Sequence, residues 1–492
     1  MTDERSPRLG STIWGGLLSG SSLKRRLLSG GAWAVGGKVG ASMIGLATSA
    51  LLTRLLSRSE VGVYFLAISV VTIGAVIGAL GLPKTVVRFV AQSMALDQVG
   101  RARGVIYLVL GLGVVGALGV GLAYGLFVGK LLGNLFDSRA LAALTGLMAG
   151  WIALSVVLEI TAETFRGFHD IRMATLLGGS ATGGKSGGLV MRVLLLGGLA
   201  WVWLTTGETD VRTVVLISIG AGVASGLLSV WLLRSKVSSL GTSEAGQAGA
   251  GGRIGAGEAL RDALPVLLIS LTSFVLLSAS DLWILGAFRP KEEVAIYAVS
   301  AQLVALIAMP LLMTNLVLPP IIAEMYAQGQ MGRLERTVRT FSTLAGVPSL
   351  LCLVAFMLLG GPILGLVYGD RLFPPGSPAL HQGAIVLVLL SLGRLAAVWS
   401  GSCGAVLQFT GHQMSMLWVS LLTSPLFIIG ALLVVRDYGP VGVAGMTALT
   451  AVLQNVIMVL VAKKKTGIWT HASLSLSPLR KAFRPKDDSE PK

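Results

Sequence analysis

Charge is what this sequence has least of. Asp, Glu, Lys and Arg together make up 13% of 492 residues, against 53% hydrophobic, whereas soluble domains carry roughly 25% charged residues. That shortage excludes an ordinary soluble domain, and a mean hydropathy of +0.80 places the chain in lipid. Cysteine is nearly missing. Cys352 and Cys403 both lie in apolar segments, which excludes a disulfide framework and a zinc-type spacing. The four histidines, His169, His381, His412 and His471, are scattered and fall mostly at predicted loops. With no nucleophile–base pair and no metal cluster, the sequence offers no catalytic set, so neither an enzyme nor a cofactor is expected. No extramembrane stretch is long enough for an NTPase domain.

Apolar length is what the chain has instead. A span needs about 20 residues at roughly 1.5 Å each, and twelve helices are predicted at 30–56, 61–82, 104–130, 139–162, 173–204, 211–233, 262–288, 292–318, 340–368, 379–409, 412–435 and 440–462. The 65 glycines suit helices that pack closely in lipid. With the N-terminus placed in the cytoplasm, Lys and Arg divide 26 inside to 9 outside, which is the positive-inside bias. The net charge of +16 is therefore topology. No basic stretch is interleaved with exposed aromatics, so nucleic acid is not an expected partner.

An internal repeat organises the spans. Leu51–Gly104 carries a helix end, a polar break at Ser57–Glu60, a second helix ended by Pro83 and a basic connector. Some 232 residues later the plan returns, with Glu60-Val61-Gly62-Val63-Tyr64 answering to Glu293-Val294-Ala295-Ile296-Tyr297 and Gly100-Arg101 to Gly332-Arg333. Two related halves follow, a common transporter design. The expected layout is a cytoplasmic arm (1–29), an N-terminal six-helix bundle (30–233), a flexible Gly/Ala linker (234–261), a C-terminal six-helix bundle (262–462) and a basic tail (463–492). Helix 7 is expected to open near Pro265, helix 8 to end at Pro319-Pro320, and the tail beyond Lys463-Lys464-Lys465 to be polar and disordered.

Two motifs mislead. Arg25-Arg26 before an apolar run resembles a twin-arginine signal, yet the run is too long and lacks a cleavage site, so an uncleaved first helix is expected. Gly179–Ser186 fits the phosphate-loop pattern GxxxxGK[ST], but that motif needs a strand before it and a soluble α/β domain around it. Its flank LVMRVLLLGGLAWVW reads as a span. In helix 4, Glu159, Glu163 and Arg166 share a face by i, i+4, i+7 spacing, which a local ion pair at the membrane boundary explains.

The segments ALLTRLLSRSEVGVYFLAIS, LGLPKTVVRFVA and ETFRGFHD, then SDLWILGAFRPKEEVAIYAVSAQL, LPPIIAEMY and YGPVGVAGMTAL, resemble in order and spacing the polysaccharide-transporter family. These are the oligosaccharide-lipid flippases of the multidrug/oligosaccharidyl-lipid/polysaccharide (MOP) exporter superfamily. The resemblance spans roughly residues 25 to 465. It implies an all-α polytopic membrane protein, two six-helix bundles related by a pseudo-twofold axis around a central cavity. It also implies a polyprenyl-pyrophosphate-linked oligosaccharide as substrate, carried across the cytoplasmic (inner) membrane. A polysaccharide polymerase or glycosyltransferases are candidate partners. The Gly-rich start of helix 5, with Lys185, departs from the family pattern.

Such a substrate has an anionic head, so cations inside the spans are the candidate binding residues: Lys38, Lys185, Arg192 and Arg394, with Arg54 at the outer rim. Snorkelling to the interface is the competing explanation, strongest for Arg54 and Lys185 near helix ends. Lys38 and Arg394 lie nearest mid-helix and are expected to share one cationic cavity. Asp281, deep in helix 7, is the candidate for ion coupling, a static bridge to a neighbouring cation being the alternative. Two other functions compete. A multidrug cation antiporter of the same superfamily would place acids in its cavity, and an integral-membrane glycosyltransferase would place paired carboxylates in a large loop.

Overall fold

The computed structural model describes residues 22–96, 98–168, 170–178, 188–239, 255–274 and 280–473. Eight helices among them are long and apolar enough to cross a membrane. Span 1 is Ser22–Leu55 and span 2 Arg58–Gly78; span 3 is Val99–Leu135 and span 4 Thr145–Gly167. Span 5 is the shorter Leu189–Thr205, and span 6 is Val211–Ser239. Span 7 combines Ala256–Phe274 with Ser280–Phe288, and Lys291–Ala327 is span 8. Met331–Tyr368 and Pro378–Ser400 are spans 9 and 10. Spans 11 and 12 share Gln413–Thr466, divided where Gly439 leaves the helix at φ 52°. Twelve crossings put both ends of the described chain on one side, here the terminal end; the opposite side is the far end.

Burial separates the spans into inner and outer. The most apolar window of span 2 is 78% buried within the protein and that of span 9 only 22%. Span 2 is therefore a central element, and span 9 offers Leu351, Leu358 and Leu366 outward, as lipid-facing helices do.

Span 2 shows how the sequence builds these elements. The Ser57 hydroxyl accepts from the Glu60 N–H while a Glu60 carboxylate oxygen accepts from the Ser57 N–H at 3.0 Å, a reciprocal cap. The other Glu60 oxygen accepts from Val211 N–H at 3.2 Å, so the same side chain fixes the start of span 6. At the other end Leu80 (φ 52°) and Gly81 (φ 75°) break the helix. Gly81 packs so closely on span 7 that a Cβ would lie 2.2 Å from the Ala263 carbonyl oxygen.

Several expected boundaries are corrected. Pro83 does not end a helix; it occupies the first turn of a new amphipathic helix, Leu82–Ala95, where its missing N–H leaves nothing unpaired. Span 8 runs through Pro319-Pro320 to Ala327, because Leu318 and Ile322 are packed into a buried cluster with Leu334, Val338 and Val406. Pro265 lies inside the first segment of span 7. Helix takes both ends of the expected linker, up to Ser239 and from Ala256, and span 1 begins at Ser22, inside the expected arm. The stretch 379–409 is not one helix: Gly401 (φ 71°) breaks it. Past Thr466 the chain does not leave the bundle as an exposed tail: Ile468, Thr470 and Ala472 are buried.

The two halves meet along spans 2 and 8. Gly62 touches the backbone of span 8 directly: a Cβ there would fall 1.9 Å from the Lys291 carbonyl oxygen. Trp283 donates its indole N–H to the Ser69 hydroxyl at 3.0 Å. At the far end Arg371, after span 9, donates to the carbonyls of Arg54 (3.1 Å) and Leu55 and pairs with Glu208. Arg58 donates to the Arg371 carbonyl at 2.8 Å, and the Thr53 hydroxyl to that of Tyr368 at 2.9 Å. These bonds close the far end over span 1, satisfying its orphan C-terminal carbonyls. At the terminal end Arg88 pairs with Asp262 across the halves.

Candidate functional site

The N-terminal half gathers charge near its terminal end. Arg166, in the last turn of span 4, pairs with Glu163 at 2.8 Å, and the Glu163 side chain is buried. Lys38 on span 1 is half-buried, within electrostatic reach of Arg166, and makes no hydrogen bond to a described residue. Lys84 acts on Glu163 from the helix after span 2, and Glu159 lies one turn before Glu163. Three cations thus face two carboxylates. Arg192 adds a fourth cation, since it donates to the Ala41 carbonyl, one turn from Lys38 on span 1.

Arg192 also marks where the halves touch at mid-depth. A Cβ on Gly45 would sit 3.1 Å from an Arg192 guanidinium nitrogen and 3.8 Å from the Gln302 amide nitrogen. Gln302, on span 8, donates to the Gly45 carbonyl at 3.0 Å and accepts from the Ser49 hydroxyl at 2.5 Å. Glycine at position 45 therefore leaves room for a guanidinium and an amide at one seam.

The C-terminal half is built differently. The Tyr297 hydroxyl donates to Asp281 at 2.8 Å and lies 3.2 Å from the Thr447 hydroxyl, while the Leu282 N–H donates to the other Asp281 oxygen at 2.9 Å. Arg394 is exposed and within electrostatic reach of both Asp281 and Tyr297, without a hydrogen bond or ion pair to a described residue. The repeat explains the frame. Tyr64 corresponds to Tyr297, and its hydroxyl meets Ser218 of span 6 at 3.3 Å as Tyr297 meets Thr447 of span 12. With Glu60 laid on Glu293, Asp281 falls on Thr48, which only donates back to the Ile44 carbonyl at 2.7 Å.

The expected cations therefore separate. Lys38 and Arg192 share one region and Arg394 sits beside Asp281 in the other half, with no bond between Lys38 and Arg394 among the described residues. Arg54 is at the far-end seam, donating to the Leu366 carbonyl at 3.2 Å. Lys185 and the rest of the Gly-rich pattern lie outside the described residues, apart from Gly178 and Gly188. Asp281 has a tyrosine and a backbone N–H as partners. Sequence reasoning missed Gln302, Ser49, Tyr297 and Thr447; the recurrence of Tyr64 as Tyr297 was the one signal pointing to them.

Comparison with known proteins agrees with this architecture. The family model for polysaccharide biosynthesis proteins matches residues 27–326, and a MatE model matches residues 265–433. No curated protein sequence matches the chain. Among solved structures, an inward-facing multidrug resistance MATE family transporter of the MOP superfamily is similar at TM-score 0.68 and 15% identity, over 90% of this chain and 96% of that one. The lipid II flippase MurJ, in an inward closed conformation, is similar at 0.62 and 14%, over 87% and 86%. A MOP superfamily transporter from Pyrococcus furiosus is similar at 0.56 and 16%, over 90% and 96%. The fold is that of these transporters: twelve spans in two six-helix halves.

Proposed function

The chain belongs to the polysaccharide biosynthesis protein family, and from that premise we propose that it is a flippase. It carries a polyprenyl-pyrophosphate-linked oligosaccharide across the cytoplasmic membrane by alternating access, for surface polysaccharide or glycoconjugate assembly. The observation that carries this reading is the cationic surplus of the N-terminal half, where Lys38, Lys84, Arg166 and Arg192 outnumber Glu159 and Glu163. Charges held within spans are costly, at least roughly 2.5–3.5 kcal/mol each on insertion scales, so an unbalanced set calls for an anionic ligand. A pyrophosphate supplies it. Arg192 uses one donor on Ala41, and its remaining fork suits a pair of phosphate oxygens, with Lys38 a point charge beside it. Gln302 and Ser49 offer neutral groups next to it for sugar hydroxyls.

In this reading the terminal end is cytoplasmic, so the charged region of the N-terminal half meets the head group where it is made. Lys185 belongs to the same proposed surface. Arg54 is its far-end limit, and Arg394 completes the charge balance of the opposite half. Asp281, held by Tyr297 and facing Arg394, takes the coupling ion or proton. A polysaccharide polymerase or glycosyltransferases are the partners this role would need.

Mass spectrometry of lipid retained by the purified protein tests the substrate, with a polyprenyl-pyrophosphate glycan expected. Reconstituted vesicles should then move that lipid between leaflets. Retention of no such lipid, together with ion-driven efflux of a cationic dye such as ethidium, would instead establish the multidrug antiporter. Asp281 and the MatE match over 265–433 favour that second reading, and the cationic surplus opposes it.

A further inference from the structure

The segment that follows span 12 completes a broken helix in another part of the bundle. Span 10 stops at Ser400, and the chain turns at Gly401 with φ 71° before a short helix resumes at Cys403. Such a stop leaves terminal carbonyls without intrahelical donors. Two of them are supplied from seventy residues away: the Ala472 N–H donates to the Trp399 carbonyl at 2.7 Å and the Thr470 hydroxyl to the Ser400 carbonyl at 3.0 Å. Span 9 holds the same segment from its other side. The Ser342 hydroxyl donates to the Thr470 carbonyl at 2.9 Å, and the Ser473 N–H to the Thr343 hydroxyl at 2.9 Å.

The fit is close and buried. Thr470 is 0% exposed, and Ile468 joins the cluster of Leu318, Ile322, Leu334, Val338 and Val406. A Cβ on Gly401 would lie 2.0 Å from the Ser342 hydroxyl oxygen and 2.4 Å from the Thr470 carbonyl oxygen. Glycine is thus required there both for the left-handed turn and for the approach of the segment. The next residue, Ser402, donates to Asn315 of span 8 at 2.7 Å, so the break is tied to spans 8 and 9 at once.

We propose that residues 468–473 form a strap that sets the end of span 10, and that Thr470 is a positioning residue for Arg394, two helical turns before the break. Span 10 carries Arg394 toward Asp281 and Tyr297. Its body packs on spans 8, 9 and 12, with Gly393 against Ala448, and its ends are held by Ser377 and Pro378 at one and by the groups that satisfy Trp399 and Ser400 at the other. Without the strap those carbonyls must find other donors, so the last turn loosens and the hold on the end of span 10 beyond Arg394 is lost. The role is independent of what the protein carries, and its test needs no substrate.

The test uses the full-length protein in nanodiscs, with Thr470→Val, which keeps the shape and loses the hydroxyl, and Thr470→Ser, which keeps it. Two readouts are taken: hydrogen exchange across residues 396–404, and the rate at which phenylglyoxal modifies Arg394, followed by mass spectrometry. Thr470→Val should raise exchange about tenfold by freeing the last turn and change the Arg394 rate at least about threefold. Arg371 at the far end should react unchanged, and Thr470→Ser should restore both values. An unchanged exchange pattern would overturn the strap, and raised exchange with an unchanged Arg394 rate would overturn the positioning role. If Thr470→Val fails to reach the membrane, Ser342→Ala, which removes the hydroxyl shared between the Thr470 carbonyl and the Val338 carbonyl of its own helix, is read the same way.

Discussion

The two halves use one frame for two electrostatic designs. Each has a buried tyrosine in its second span, hydrogen-bonded to a hydroxyl of its last span: Tyr64 with Ser218, Tyr297 with Thr447. In the N-terminal half the tyrosine meets no charged group among the described residues, and the charges collect around Glu163 near the terminal end. In the C-terminal half one acid occupies the position that the repeat gives to Thr48, and the tyrosine clasps it. A duplicated fold has thus kept its packing and divided its charges. On the proposed reading, one half would hold the anion and the other the single carboxylate that takes a proton or ion.

Removing the acid should erase the difference most completely. Asp281→Asn keeps the size of the side chain and is expected to lower transport by ~100-fold, the scale of about 3 kcal/mol for a lost charged partner. The variant should still insert and purify, and reconstituted transport with and without an imposed ion gradient checks it. Normal transport would remove Asp281 from the mechanism.

Next come the cations. Lys38→Ala and Arg192→Ala should each reduce export by about tenfold, as a phosphate contact of roughly 1.4 kcal/mol predicts. Lys38→Glu should be worse than Lys38→Ala because it repels the phosphates, and Lys38→Arg should keep much of the activity. Arg394→Ala should weaken transport by altering ion dependence more than lipid affinity. Equal effects on affinity from Arg394 and Arg192 would contradict the division between halves.

The tyrosines give a finer test. Tyr297→Phe removes a donor to a carboxylate and should cost about fivefold in transport, while Tyr64→Phe loses one neutral bond and should change it less than about twofold. Equal losses would mean that the asymmetry is only structural.

The smallest effect concerns a tie outside the membrane. Partial burial of Asp170 is outweighed by its bonds from Lys236 (2.5 Å) and the Met173 N–H (3.2 Å), which hold its carboxyl below the ordinary range. A depressed carboxylate stabilises the fold fully above its unfolded value near 3.9 and loses that contribution as pH falls through the folded value. Lys236→Ala should therefore lower the unfolding temperature slightly at neutral pH, a surface pair contributing about 0.2–1 kcal/mol. The difference should vanish in strong acid.

Much of this was legible in the sequence, and the reasons are specific. The spans and the repeat are carried by apolar runs and by Glu60–Tyr64 recurring as Glu293–Tyr297. Glu163 with Arg166 follows from helical spacing alone. What could not be read depends on partners far apart in the chain, such as Ser49 with Gln302 or Thr470 with Ser400. The break at Gly401 was hidden because glycine is common in spans, and only its neighbours show that this one turns left-handed. Pro319-Pro320 misled because packing around Leu318 and Ile322 outweighs the helix-breaking tendency of proline. Ile468–Ser473 reads as tail because its bonds are mostly backbone and hydroxyl groups, which leave no apolar pattern.

Gly62 against the Lys291 carbonyl has a mechanical meaning. Apart from the like approach of Gly81 to the Ala263 carbonyl, contacts such as Trp283 with Ser69 join the halves through side chains, and such knobs must disengage before one surface can turn against another. Where backbone lies on backbone there is no knob to lift out. A contact of that kind behaves as a bearing: it keeps two bodies in register through a rotation while losing almost no packing, and the axis of any rocking between the halves passes most cheaply through it.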